Sequence, residues 1–218
     1  MHGTLNIFMN TNHLFSIPVS TADLPPISKN IIDFIKQIEY VPWYNADNYY
    51  LSISKERQVL DTFKILQPLH HDIMKAANQY WHDVIEADNS INLKIRHSWI
   101  TRHKPGEWNP AHTHSTSLFT SCIYFQGNKD SGDLILKKDN NYLNLFPSMI
   151  DIPYHTSNLI NTKKFVITPT DNLIVFFPSH LLHESSRNLG TTDRYALNVD
   201  YWFEGTLRKN SNGFDSIF

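Results

Sequence analysis

From about residue 93 to about residue 203 the chain is a succession of apolar runs too short and too rich in β-branched residues to be helices. KIRHSWITRH, SLFTSCIYFQ, DLILKK, KFVITP, NLIVFFP and RYALNVDYWFEG carry the Val, Ile, Thr and aromatic residues, and KPGEWNP, GNKDSGD, PTDN and NLGTTD punctuate them. β-branched and aromatic side chains fit a pleated surface, and Gly, Pro, Asn and Asp supply the turns between strands. No helical pattern of comparable strength interrupts the series. Consecutive strands without crossover helices pair antiparallel, so this part is predicted to form an antiparallel sandwich or barrel with helices packed outside it.

The helices are expected upstream. Leu69, Ile73, Ala77, Tyr80 and Val84 form one apolar stripe at helical spacing, predicting a helix over residues 66–87. His70, His71 and His82 lie beside or across from that stripe and read as rim or solvated residues. KNIIDFIKQIEY carries Ile31, Ile35 and Ile38 on one face, with Ser28 placed as its cap. Before it, TADLPPISKN reads as a link and residues 5–19 as a strand or two; after it, VPWYNADNYYLS reads as a loop with aromatic anchors. Residues 142–161 form a long, weakly patterned insertion, either a lid or a surface excursion.

Composition narrows the classes of function. With 41% hydrophobic and 18% charged residues the chain has the make-up of a folded globular protein. A net charge of -2 gives no basic excess for nucleic acid or an anionic membrane, and no window has the length of a membrane-spanning helix. MHGTLNIFMNTNHLF lacks a basic segment followed by an apolar run, so no secretory signal is expected. The single cysteine, Cys122, rules out an internal disulfide framework and fits a cytoplasmic location. In an apolar strand it reads as packing rather than as a nucleophile.

The chemistry concentrates in AHTHSTSLF. In extended chain His112 and His114 share a face, about 6–7 Å apart, close enough to converge on one metal ion. An isolated pair of this kind is more often a surface feature of an edge strand. The later stretch FPSHLLHESSRNLGTTDRYALN changes the balance, because His183 follows an apolar strand and Arg194 opens the next. Three imidazoles on neighbouring strands can form one side of a coordination shell suited to iron, zinc, copper or nickel and leave the rest open. An inward Arg194 would need an anion, either a small ligand or a carboxylate such as Asp193. Against this, Arg194, Ala196, Asn198 and Asp200 share the more polar face of their strand, which on the simplest reading is the solvated one.

The pieces SWIT, HTH, SCIYF, SGDLIL, FPSHLLH and RYALN, in this order and spacing over about half the chain, resemble the iron(II)/2-oxoglutarate-dependent oxygenases, in particular an oxygenase group found in marine microbes and their phages. The resemblance implies a mainly β fold with flanking helices, built on a double-stranded β-helix (a jelly-roll, cupin-like core). It implies one domain, with an N-terminal strand and supporting helices over 1–90, the catalytic core over 91–205 and a tail over 206–218. It also implies Fe(II), 2-oxoglutarate and O2 as cofactor and co-substrates. Hydroxylation of a small-molecule or peptidyl substrate, with release of succinate and CO2, would follow. Carried onto this chain, His112, His114 and His183 would hold the metal. Arg194 would bind the far carboxylate of 2-oxoglutarate, with Tyr124, Ser121 and Asn198 as further contacts.

Three positions depart from the family pattern. His114 stands where an acidic residue is usual, Ala196 where serine is common, and His180 where an aromatic residue is common; His180 also rivals His183 as the distal ligand. A cupin-like metalloenzyme and a non-catalytic jelly-roll module are the alternatives. Cupin sites often add a glutamate between the histidine sets; none lies between His114 and His183, and Asp133 is the nearest substitute.

Overall fold

A computed structural model of the chain describes residues 16–45, 48–138 and 153–204. Strand β1 (Ser20–Asp23) leads to helix α1 (Lys29–Ile35) and to a hairpin of β2 (Tyr40–Asn45) and β3 (Asn48–Ser54). The short helix α2 (Val59–Thr62) and a 3-10 turn precede α3 (Gln67–Gln79), which continues into a π-helical turn, Tyr80–Val84. Strands β4 (Asn92–His103), β5 (Asn109–His112), β6 (Phe119–Tyr124), β7 (Leu134–Lys137), β8 (Lys164–Ile167), β9 (Leu173–Pro178), β10 (His183–Ser185) and β11 (Arg194–Glu204) complete the order.

All strand pairs are antiparallel. They make a seven-stranded sheet of order β1-β9-β6-β11-β4-β3-β2 and a four-stranded sheet of order β5-β10-β7-β8. Strand alternation sorts the large sheet's side chains onto two faces. Phe119 and Ile123 of β6, Ile174 and Phe176 of β9, and Leu197, Val199 and Tyr201 of β11 join the helices' Ile31, Ile35, Leu69, Ile73 and Ala77 in the outer core. Cys122, Tyr124, Val175, Phe177 and Ala196 point the other way, into a smaller core shared with Leu134, Leu136 and Ile167 of the small sheet. A strand covered on both faces needs no polar alternation, which is why LIVFFP reads as one apolar run. The outer core is anchored by rings: Phe119 stacks on Tyr201 at 4.6 Å and Tyr80 on Phe176 at 5.2 Å. Truncating a ring so buried costs about 3–5 kcal/mol.

The upstream elements differ from expectation in five places. VPWYNADNYYLS is a hairpin, not a loop; β3 pairs with β4 through Ser52↔Arg102 and Ile53↔Thr101 and extends the large sheet. Within TADLPPISKN the first residues belong to β1, which pairs with β9. Most of the strand expected over 5–19 lies outside the described residues, and residues 16–19 form no strand. Helix α1 stops at Ile35, and the Ser28 side chain makes no capping bond, its carbonyl alone accepting from Ile31 and Ile32. In the long helix Leu69, Ile73, Ala77 and Tyr80 are buried as the stripe predicts, but Val84 is 44% exposed. The π turn inserts an extra residue and rotates Val84 off the stripe. The expected insertion over 142–161 falls largely outside the described residues.

Candidate metal centre

β5 and β10 pair with His112 directly opposite His183, so antiparallel register alone sets these two imidazoles side by side, ring centres 4.3 Å apart. His112 ends its strand. The chain then bends, and the His114 amide bonds the Ser179 carbonyl, turning its ring toward the other two at 5.3 and 5.0 Å. One ligand atom from each of His112, His114 and His183 lies within 4.8 Å of the others.

The hydrogen bonds decide which nitrogen is free. Nδ1 of His112 lies 2.8 Å from the Pro110 carbonyl and Nδ1 of His183 2.8 Å from the Leu181 carbonyl. A carbonyl only accepts, so each Nδ1 carries the proton and each Nε2 offers its lone pair. Nδ1 of His114 lies 2.7 Å from the Asp200 carboxylate and 2.9 Å from the Thr120 hydroxyl, which leaves its Nε2 free as well. Burial lowers the pKa of His112 and lowers that of His183 further, keeping both neutral and ready to donate to a metal. Three oriented imidazole donors fit a divalent first-row metal ion such as iron.

Across the space between the sheets, on β11 of the large sheet, Arg194 is only 3% exposed. Its Nη1 donates to the Gly132 carbonyl at 2.7 Å, and Nη2 lies 3.1 Å from both ring nitrogens of His103. Its Nε is buried without a partner, and among the described residues no carboxylate pairs with it. Asp193 instead accepts from the Tyr195 hydroxyl. The polar face of β11 is thus the inner face, lining the space between the sheets rather than facing solvent. Gly132 shapes this corner: its φ of +91° is a left-handed conformation, and a Cβ there would meet the Ser186 carbonyl at 2.5 Å.

Of the other expected contacts, Tyr124 lies under Arg194, guanidinium to ring centre 5.8 Å, and Asn198 is on the same face, bonded to Cys122 and Thr101. Ser121 is not there. Alternation turns it to the outer core, where its hydroxyl bonds Tyr201 at 2.9 Å. His180 is exposed and outside the cluster, Asp133 accepts from Thr168 rather than joining the histidines, and His71 is exposed on α3. Burial pushes the Cys122 thiol up to about 12, which makes it no nucleophile at neutral pH.

Sequence reasoning missed Asp200 as the partner of His114, Trp99 beside His114 at 5.5 Å, and His103. His103 bridges Arg194 and the Ser185 hydroxyl. Arginine only donates, so the imidazole accepts and must be neutral. Burial first, and then the Arg194 charge, hold its pKa well below 6.5. The unfolded chain binds this proton near 6.5, so the stability is complete above that pH and is lost as pH falls toward the depressed folded-state value. The slope is at most about 1.4 kcal/mol per pH unit for one group. Urea midpoints at about pH 7.5 and about pH 5.5 are expected to differ more in wild type than in His103→Gln; equal differences would place the acid sensitivity elsewhere.

The family model described as "Putative 2OG-Fe(II) oxygenase" matches residues 97–200, a span holding all three histidines and Arg194. Residues 97–200 belong to the iron(II)/2-oxoglutarate-dependent oxygenase superfamily. Solved structures of this oxygenase fold agree. The non-heme alpha ketoglutarate dependent carbocyclase SnoK from nogalamycin biosynthesis aligns at 15% identity and TM-score 0.57, covering 83% of this chain and 78% of that one. HygX from Streptomyces hygroscopicus, with nickel and 2-oxoglutarate bound, aligns at 10% identity and TM-score 0.57, covering 93% and 91%. A Pseudomonas putida prolyl-4-hydroxylase aligns at 10% identity and TM-score 0.54, covering 88% and 95%. No curated protein matches the chain. The oxygenase jelly roll expected from the sequence is therefore the fold, and Fe(II) and 2-oxoglutarate are the cofactors of the superfamily, which the three-histidine group of this oxygenase suits. No helix among its described residues is long and apolar enough to cross a membrane.

Proposed function

We propose that this oxygenase is a hydroxylase. Oxidative decarboxylation of 2-oxoglutarate to succinate and CO2 would be coupled to insertion of one oxygen atom into a small-molecule or peptidyl substrate. The observation that carries this reading is the coincidence, between the two sheets, of three imidazoles with free Nε2 atoms and a buried arginine that no carboxylate of the described residues pairs. Iron(II), which His112, His114 and His183 would hold, would supply the Lewis-acid and redox chemistry for O2 activation with 2-oxoglutarate.

The protein's own part is orientation and exclusion. The carbonyls of Pro110 and Leu181 hold two imidazoles in one tautomer and one direction. Arg194 receives the far carboxylate of the co-substrate, its fork preset by Gly132 and His103. The free Nε is the donor left for that carboxylate. Leu136, Phe177, Val175 and Leu181 close the inner face to water. Half-buried Trp99, beside His114, is available on the substrate side. A reducing, cytoplasmic setting belongs to the same reading, since it keeps Fe(II) and the free Cys122 reduced.

The test is anaerobic addition of Fe(II) and 2-oxoglutarate, followed by O2. A weak visible charge-transfer band that requires both, then succinate formed in step with a product heavier by one oxygen atom, is the expected result. Relatives of this fold described as an epimerase and a carbocyclase make product mass the deciding readout. Metal binding without the band would instead support a cupin-like metalloenzyme.

A further inference from the structure

The three donors of the metal centre are all uncharged, yet a carboxylate stands directly behind one of them. Asp200 is 5% exposed, and its Oδ1 accepts from His114 Nδ1 at 2.7 Å and from the Thr120 hydroxyl in a short bond. Among the described residues no lysine or arginine pairs with it; His114 is its one ion-pair partner. A carboxylate buried without a cation is expensive. Neither hydrogen bond requires the charge, since an amide oxygen would accept both. Across the sheet Asp200 stands opposite Thr120 of β6 and His97 of β4, and no fixed positive charge of the chain lies at either position.

Resting on the metal-site reading above, we propose that Asp200 is a positioning residue that delivers the site's negative charge through His114. It fixes the His114 tautomer and strengthens that imidazole as a donor. The metal is its counter-charge, and the anionic character of the site sits one ring width behind the coordination shell. The usual acidic ligand has thus been displaced rather than lost: His114 occupies its place and Asp200 stands behind it. Carboxylate–histidine–metal relays of this kind change metal affinity about 10–100-fold when the outer partner is removed.

Co(II) is the probe, titrated into the full chain as wild type, Asp200→Asn and Thr120→Val, with affinity read by chelator competition and coordination by the visible cobalt spectrum. Asp200→Asn keeps an acceptor for Nδ1 and removes only the charge. It is expected to bind Co(II) about 10–100-fold more weakly, with an altered spectrum and a urea midpoint without metal equal to wild type or higher. Thr120→Val keeps the charge and is expected to stay within about threefold of wild type, well inside that outer-partner range. Wild-type affinity and spectrum in Asp200→Asn would overturn the proposal, as would an equal loss in Thr120→Val, which would assign the effect to ring packing. If wild type itself bound no Co(II), the metal-site reading would fall with it; equal binding by wild type and Asp200→Asn removes only the role of Asp200.

Discussion

Arg194→Met is expected to weaken 2-oxoglutarate binding sharply while leaving the ligand-free protein as stable as wild type, or more so. The two effects have opposite signs because the guanidinium is a cost until an anion arrives. It lies nearly fully enclosed, over the Tyr124 ring, with one buried N–H group unpartnered and no carboxylate in reach among the described residues. Replacing an uncompensated buried charge by an apolar side chain of similar length is often neutral or stabilising. Losing one partner of a buried charge pair costs about 2–5 kcal/mol, which is a fall in co-substrate affinity of roughly 30- to several-thousand-fold. Calorimetry of 2-oxoglutarate binding to the Mn(II)-loaded protein, set beside urea unfolding of the ligand-free protein, reads both. Unchanged binding would remove Arg194 from the co-substrate site. Retained binding with a loss of several kcal/mol in stability would make it a structural residue. Gly132→Ala should lower co-substrate affinity in the same direction, because the carbonyl that fixes Nη1 cannot stay put once a Cβ presses on Ser186.

His183→Gln is expected to weaken metal binding by more than about 100-fold, beyond the 10–100-fold typical of losing an outer hydrogen-bond partner. His183 is the middle of the group: 4% exposed, its ring 4.3 Å from His112, 5.0 Å from His114 and 4.8 Å from Phe177. Glutamine keeps most of the volume, so the packing against Phe177 survives and the measurement reports on the lost donor. His180→Gln, three residues away and exposed, is the control and should bind metal as wild type does. Fe(II) or Co(II) affinity by chelator competition decides. A wild-type value in His183→Gln would mean that the metal is held elsewhere.

The β-rich half was legible because its strands carry their own signal, runs of β-branched and aromatic residues closed by Gly, Pro and Asn. Two elements escaped for opposite reasons. β1 is a four-residue edge strand with mostly exposed side chains, held by backbone pairing to β9, so no burial pattern marks it. The β2–β3 hairpin contains Pro42 and a cluster of Asn and Asp that locally favour a loop, and pairing with β4 overrides that preference. At the site, the spacing of His112 and His114 was readable, but the register that seats His183 against His112 is a long-range fact that no local pattern encodes. The polarity of the Arg194 face looked like solvent exposure because sequence cannot distinguish a wet face from a polar one buried between two sheets. Ser121 and Tyr124 cannot both face inward, being three apart on one strand, and it is Tyr124 that does.

The division of the large sheet into two unequal cores bears on how such a chain can change over evolutionary time. Cohesion resides mainly on the helix-covered side, in rings and aliphatic side chains that never meet the metal centre. The catalytic side shares only the smaller cluster. Substitutions at half-buried Trp99 and Asn198 draw less on what holds the molecule folded than those in either core, so new acceptor molecules can be explored by drift with a low risk of unfolding. The same outer scaffold can be inherited nearly intact by descendants with different chemistry.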